Sequence, residues 1–142
     1  MSLFLIPIAV MFMTQAIKLL IEGWRGQFNW QDVNNYGGMP SAHSALLASL
    51  IYMLVYDNGD LSGPAIAVAI VLLVVIVRDA VGFRRQLGLH AAILNRLIKD
   101  LPDDKEYKYP VLTERLGHTV PEVIVGLLVG LVLSYLAELL FL

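Results

Sequence analysis

Long apolar runs alternate with short polar segments along this chain, and most of the polar residues gather at the ends of the runs. The first run, about Leu3 to Glu22, predicts a helix with Lys18 near its end, close enough to snorkel or to line a polar cavity. Gly26 to Met39 is polar, and Trp24, Phe28, Trp30 and Tyr36 in and before it suit a membrane interface. A second helix is predicted from about Ser41 to Tyr56, a turn at Asp57-Asn58-Gly59-Asp60, and a third helix from about Pro64 to Val81 that ends near the pair Arg78-Asp79. Arg84 to Lys99 is helical in pattern but amphipathic with basic ends, which suits a helix lying in the interface. Asp100 to Thr113 is charged, holds two prolines and reads as a solvated loop. The last helix begins near Thr119, and its Gly126 and Gly130 have the four-residue spacing of close-packed membrane helices. No internal repeat or low-complexity segment interrupts this order.

Composition turns these helices into membrane spans. Of 142 residues, 58% are hydrophobic and 15% charged, with a mean hydropathy of +0.71, too apolar for an ordinary soluble domain of this length. Several runs approach the roughly 20 residues that cross a bilayer. The expected fold class is therefore all-α: a polytopic membrane helix bundle of about four transmembrane helices plus one interfacial amphipathic helix. Residues 1–142 are expected to form a single integral membrane domain. The absence of cysteine excludes disulfides and thiol catalysis. No basic region precedes the first apolar run, which reads as a retained span rather than a signal peptide. The net charge of −2 says little about partners, and no nucleic-acid partner is expected.

Charge placement orients the bundle. Arg25, Arg84, Arg85, Arg96, Lys99, Lys105, Lys108 and Arg115 flank or fill segments on one side, whereas the Asp57 to Gly63 turn has no basic residue. The positive-inside rule puts the basic side in the cytoplasm and both termini outside. This requires that Arg84 to Lys99 not span. Otherwise Gly117-His118 would emerge opposite His43.

Candidate chemistry collects on the basic side. In Gly37-Gly38-Met39-Pro40-Ser41-Ala42-His43-Ser44, the glycines let backbone approach a ligand, and Ser41 suits the N-cap of the second helix. His43 then lies in the first turn, near the positive end of the helix dipole, where anions bind. A helix cap with a half-exposed histidine would leave the same local pattern. Lys18 and Arg25 stand seven apart, and Gly117-His118-Thr119-Val120-Pro121-Glu122-Val123 opens the last helix.

Together the three groups resemble the signature of the type 2 phosphatidic acid phosphatases, which share a fold with the vanadium-dependent haloperoxidases. The family's first motif is Lys, six residues, Arg-Pro; Lys18 and Arg25 fit, with Gly26 for the proline. Its second is Pro-Ser-Gly-His; Pro40, Ser41 and His43 fit, with Ala42 for the glycine. Its third is Ser-Arg, five residues, His, three residues, Asp; His118 fits, Glu122 replaces Asp, and the missing Ser-Arg is Val111-Leu112. A rival alignment through Arg84 and His90 puts Leu94, next to Asn95, at the carboxylate position. The chain is most similar to a divergent branch of the family with a Gly-Gly-Met-Pro-Ser-Ala-His stretch.

The resemblance implies metal-independent hydrolysis without a cofactor, acting on a lipid phosphate such as phosphatidate or a polyprenyl (di)phosphate. His118 would attack phosphorus and form a phosphohistidine, Glu122 would orient it, and His43 would protonate the departing alkoxide and then activate water. Lys18, Arg25, Ser41, Gly38 and Arg84 or Arg85 would hold the phosphate. Plainer readings stand beside these. Thr119 and Glu122 also form a capping box, Lys18 snorkels, Arg78-Asp79 is an interfacial ion pair, Asp103-Asp104 belongs to a solvated loop, and Arg115 only adds to the charge bias. Two other functions stay open: a non-hydrolytic lipid-phosphate binder or transporter, favoured by the altered third motif, and a structural protein assembling through Gly126 and Gly130. A homodimer would complete a thin bundle.

Overall fold

The computed structural model describes residues 2–24, 26, 37–59, 62–101 and 109–141. Arg25, the aromatics Phe28, Trp30 and Tyr36, and the Asp103-Asp104 pair lie outside the described residues. Every described element is helical: α1 (Ser2–Trp24), α2 (Ala42–Asn58), α3 (Pro64–Arg78), a π-helical turn (Asp79–Phe83), α4 (Arg84–Lys99) and α5 (Val120–Phe141). Three uninterrupted helices, Leu3–Trp24, Pro64–Lys99 and Val120–Phe141, are long and apolar enough to cross a membrane, and α2 is a shorter apolar helix.

The largest difference from the sequence reading lies at the end of α3. The change from apolar to basic residues at Arg84 suggested two helices, but α3, the π-turn and α4 form one 36-residue rod, about 54 Å long at 1.5 Å per residue. Polarity does not break a helix; a proline or a left-handed cap does, and neither occurs between Arg78 and Lys99. The hydrocarbon core takes up about 20 residues of a helix, so this rod is longer than one crossing needs.

Helix α2 is the centre of the bundle. It packs against α1, α3 and α5, and α1 also touches α5. Its Ala45, Leu47, Ala48 and Met53 are buried with Val10 of α1 and Val123 of α5. The Gly126/Gly130 face of α5 is filled by α2 of the same chain. A Cβ at Gly126 would collide with the Ser41 carbonyl, and one at Gly130 would come within 2.8 Å of Ala45 Cα. That face is therefore not free for assembly. Deeper in the contact, the Ser134 hydroxyl lies 2.7 Å from both Ser49 Oγ and the Gly130 carbonyl oxygen, so these buried hydroxyls are satisfied inside the bundle.

The outward faces are apolar. Val68, Val71, Val74 and Val75 of α3 and Ile124, Leu128 and Val132 of α5 are exposed, while Ile66 and Ala69 are the buried residues of α3. With lipid as the solvent, exposed valine and leucine need no covering. Helix α4 instead carries the segment that leads into α5. Asn95 Nδ2 donates to the Leu112 carbonyl and to Glu114 Oε1, both at 2.8 Å, and Asn95 Oδ1 accepts from the Leu112 N–H at 2.9 Å.

Candidate active site

The π-turn anchors the third motif. The backbone N–H of His118 donates to the Ala80 carbonyl at 2.9 Å. In an uninterrupted α-helix that carbonyl would accept from Arg84, but the Arg84 N–H reaches five residues back to Asp79 instead. The loop comes this close because of Gly117, at φ +79°. A Cβ there would sit 2.7 Å from Ala80 O and 2.5 Å from the Arg85 nitrogen. Next, the Ser41 N–H donates to the Glu122 carbonyl at 3.3 Å, joining the start of α2 to the start of α5. The second and third motifs thus meet at one end of the bundle, as the orientation of the helices required.

His118 is buried, and its Nδ1 lies 3.2 Å from Glu122 Oε2. The same carboxylate oxygen accepts the Thr119 N–H at 3.1 Å. Glu122 therefore makes the carboxylate half of a capping box and also orients the histidine; the two readings of Glu122 share one geometry. Burial pushes the His118 imidazole below the usual histidine range, and the Lys18 charge adds to this. The Glu122 hydrogen bond and charge, and a backbone hydrogen bond with Gly38, oppose it. Burial is the largest of these influences, so the balance favours the neutral ring, with Nδ1 beside Glu122.

Gly38, at φ +98°, brings the second motif over α1. A Cβ there would lie 3.0 Å from Lys18 Cε and 2.8 Å from Glu22 Oε1. Lys18 is buried rather than snorkelling to a surface. Ser41 occupies the N-cap position of α2, yet its side chain caps no backbone group; its buried Oγ accepts the Ser44 hydroxyl at 3.0 Å. The Met39–Pro40 bond is cis.

A cavity of about 580 Å³ opens in front of His118. Its polar lining includes His118, Glu122, Gly38, Glu22, Arg85 and Arg115, and its apolar lining includes Ile21, Met39, Leu89 and Ala92. The adjacent arginines diverge as helix geometry demands. Arg85 lines the cavity, whereas Arg84 is exposed with its Nε 2.5 Å from Asp79 Oδ2. His43 is exposed and does not line the cavity, although it lies within electrostatic reach of Arg84 and His118. His90, the rival third-motif histidine, is exposed and does not line the cavity, and Asn95, next to the carboxylate position of that alignment, ties down the loop. Among the described residues no group of three His, Asp or Glu side chains is placed to hold a metal ion.

Residues 1–133 match the Divergent PAP2 family. The chain belongs to this family. It is also similar to the uncharacterized membrane protein YuiD of Bacillus subtilis (strain 168), with 33% identity over 139 residues that cover 89% of this chain and 87% of the relative. No solved structure matches it. Membership agrees with the resemblance carried by Lys18, Pro40-Ser41, His43 and His118.

Glu22, Glu114 and Arg115 line the cavity but lie outside the motif reading. Glu22 is one helical turn from Lys18, and that i, i+4 spacing is the signal in the sequence that places it beside the lysine. Arg115 was assigned only to charge bias, because its distance from His118 departs from the motif, yet it lines the cavity.

Proposed function

We propose that this protein is a membrane-embedded phosphatase that hydrolyses a lipid phosphate or polyprenyl (di)phosphate through a phosphohistidine intermediate. The observation that carries this reading is the buried His118, its Nδ1 beside Glu122, opening into a cavity lined by Arg85 and by apolar residues. The phosphate sits against His118 and the lipid tail leaves along Ile21 and Leu89 towards the bilayer. The ring nitrogen not beside Glu122 attacks phosphorus, and the P–O bond to the alcohol breaks. Arg85, Lys18 and the Gly38 backbone stabilise the charge on the nonbridging oxygens. Arg25 and Arg84 would add positive charge at the rim, and Ser41 would hold the Gly38 loop against α5. His43 protonates the leaving alkoxide, then takes a proton from the water that cleaves the phosphohistidine. The basic residues around this end support, by the positive-inside rule, a site facing the cytoplasm from the cell membrane.

The position of His43 outside the cavity wall, together with Leu112 at the arginine position, favours a second reading: a binder or transporter of lipid phosphates without turnover. Phosphate release by purified protein from a panel of lipid phosphates, with chelator present, separates the two. The phosphatase reading expects release that His118→Ala abolishes and His90→Ala largely preserves. Tight binding without release establishes the second reading. Loss on His90→Ala with retention on His118→Ala restores the rival alignment.

A further inference from the structure

Three carboxylates line the cavity: Glu22, Glu114 and Glu122. Glu114 accepts from Asn95 at 2.8 Å. Glu122 accepts from Thr119 and faces His118. Glu22 differs from both. Its Oε2 is buried and has no hydrogen-bond partner among the described residues, while Oε1 is packed against Gly38. A carboxylate oxygen withdrawn from water without a donor is costly. It persists where a bound group supplies the missing donor.

The neighbours of Glu22 limit what that donor can be. Lys18 is one turn away on the same face of α1, and Gly38 lies over both side chains. Gly38 is also hydrogen-bonded to His118. Glu22 therefore stands beside the proposed phosphate position, in a lining that also holds the apolar Ile21 and Met39. A phosphate oxygen placed against Glu22 would be repelled. A hydrogen-bond donor on the alcohol part of the ester, close to the phosphate, would meet an acceptor of matching charge and position.

Resting on the phosphatase reading above, we propose that Glu22 is a specificity-determining residue that accepts a hydrogen bond from a hydroxyl or ammonium group on the substrate alcohol beside the phosphate. The preferred substrates are then lipid phosphates with such a donor near the ester, as in a monoacylglycerol phosphate (hydroxyl) or a long-chain amino-alcohol phosphate (ammonium). Esters without one, such as diacylglycerol phosphate and polyprenyl phosphate, leave the Oε2 acceptor unsatisfied and are disfavoured.

The experiment compares wild type and Glu22→Gln in detergent on these four lipids, reading kcat/KM for phosphate release and Kd by native mass spectrometry. Glutamine keeps the shape and removes the charge, and Glu22→Asp tests reach. For the wild type, kcat/KM is expected to be about ten- to a hundred-fold higher on the donor-bearing esters, with that ratio falling towards one in Glu22→Gln. The hydroxyl and ammonium lipids distinguish the donor. The ammonium lipid losing more in Glu22→Gln identifies a charge pair, and equal losses identify a neutral hydrogen bond. A ratio near one in the wild type, or an equal fall on all four lipids in Glu22→Gln, overturns the proposal, the second result making Glu22 a support for Lys18. If the wild type releases phosphate from none of them, the phosphatase reading fails by itself, and the same ratio taken from Kd decides whether Glu22 selects the lipid.

Discussion

The backbone N–H of His118 is bonded to the carbonyl of Ala80 at 2.9 Å, a carbonyl on the third membrane helix placed 38 residues earlier in the chain. The π-turn at Asp79–Phe83 makes this possible by shifting the local helix bonds to five-residue spacing. Gly117→Ala puts a methyl group into that junction, against Ala80 O and the Arg85 nitrogen, and into a left-handed backbone. The left-handed penalty alone is about 1–2 kcal/mol. The expected result is a lower melting temperature in detergent and loss of phosphate release. Unchanged melting and activity would remove the π-turn from the design of the site.

The arginine pair gives a graded test. Arg85 lines the cavity, and Arg84 is exposed beside Asp79. Lysine keeps charge but loses the planar donor fork. A charge-assisted hydrogen bond is worth about 1.5–3 kcal/mol, so Arg85→Lys should slow turnover about ten- to over a hundred-fold. Arg84→Lys should be mild, and Arg115→Lys intermediate because Arg115 shares the cavity wall. Intact turnover in Arg85→Lys with damage in Arg115→Lys would move the guanidinium to the His118 loop.

Acidity should act through His118. In the proposed phosphatase reaction its ring attacks only when neutral, and burial holds it below the usual histidine range. Activity is therefore retained as pH falls past the ordinary histidine value and is lost only through the lowered one. The Glu122 interactions raise the value, so Glu122→Gln should move the acid limb of kcat/KM to still lower pH. Losing the oriented ring should also reduce kcat about ten- to over a hundred-fold. Comparing the two pH profiles on one substrate cancels the substrate's own ionisation. A limb that moves upward would assign the titration to another group.

Asn95 latches the loop before α5 through three hydrogen bonds to Leu112 and Glu114. At about 0.5–1.5 kcal/mol each, Asn95→Ala should cost about 2–4 kcal/mol of local stability. Faster hydrogen exchange at residues 109–118 is the measurement, with reduced turnover following from a less fixed His118. Unchanged exchange there would show that the packing of Gly117 against the π-turn alone holds the loop.

The sequence by itself determined the membrane class, the helical segments and the residues that carry the family likeness. These are local properties: hydropathy over about 20 residues, capping residues and spacing within a turn are written in consecutive positions. His118 with Glu122 was legible for that reason, because four residues on one helix are neighbours in any fold. The choice between Arg84 and Arg85 was not legible, since both follow the same apolar run and their directions are set by the π-turn and its contact with Gly117. Nor was the joining of α3 and α4, because a change of polarity looks like a boundary although nothing there stops the backbone. Gly126 and Gly130 announced a close helix contact, but their spacing could not say whether the partner was α2 or another molecule. Only packing made α2 the partner, and only the approach of Gly38 to α1 put Lys18 and Glu22 beside a histidine about a hundred residues away in the chain. Such placements depend on long-range contacts, and no local pattern encodes which pair of distant backbones will find room for each other.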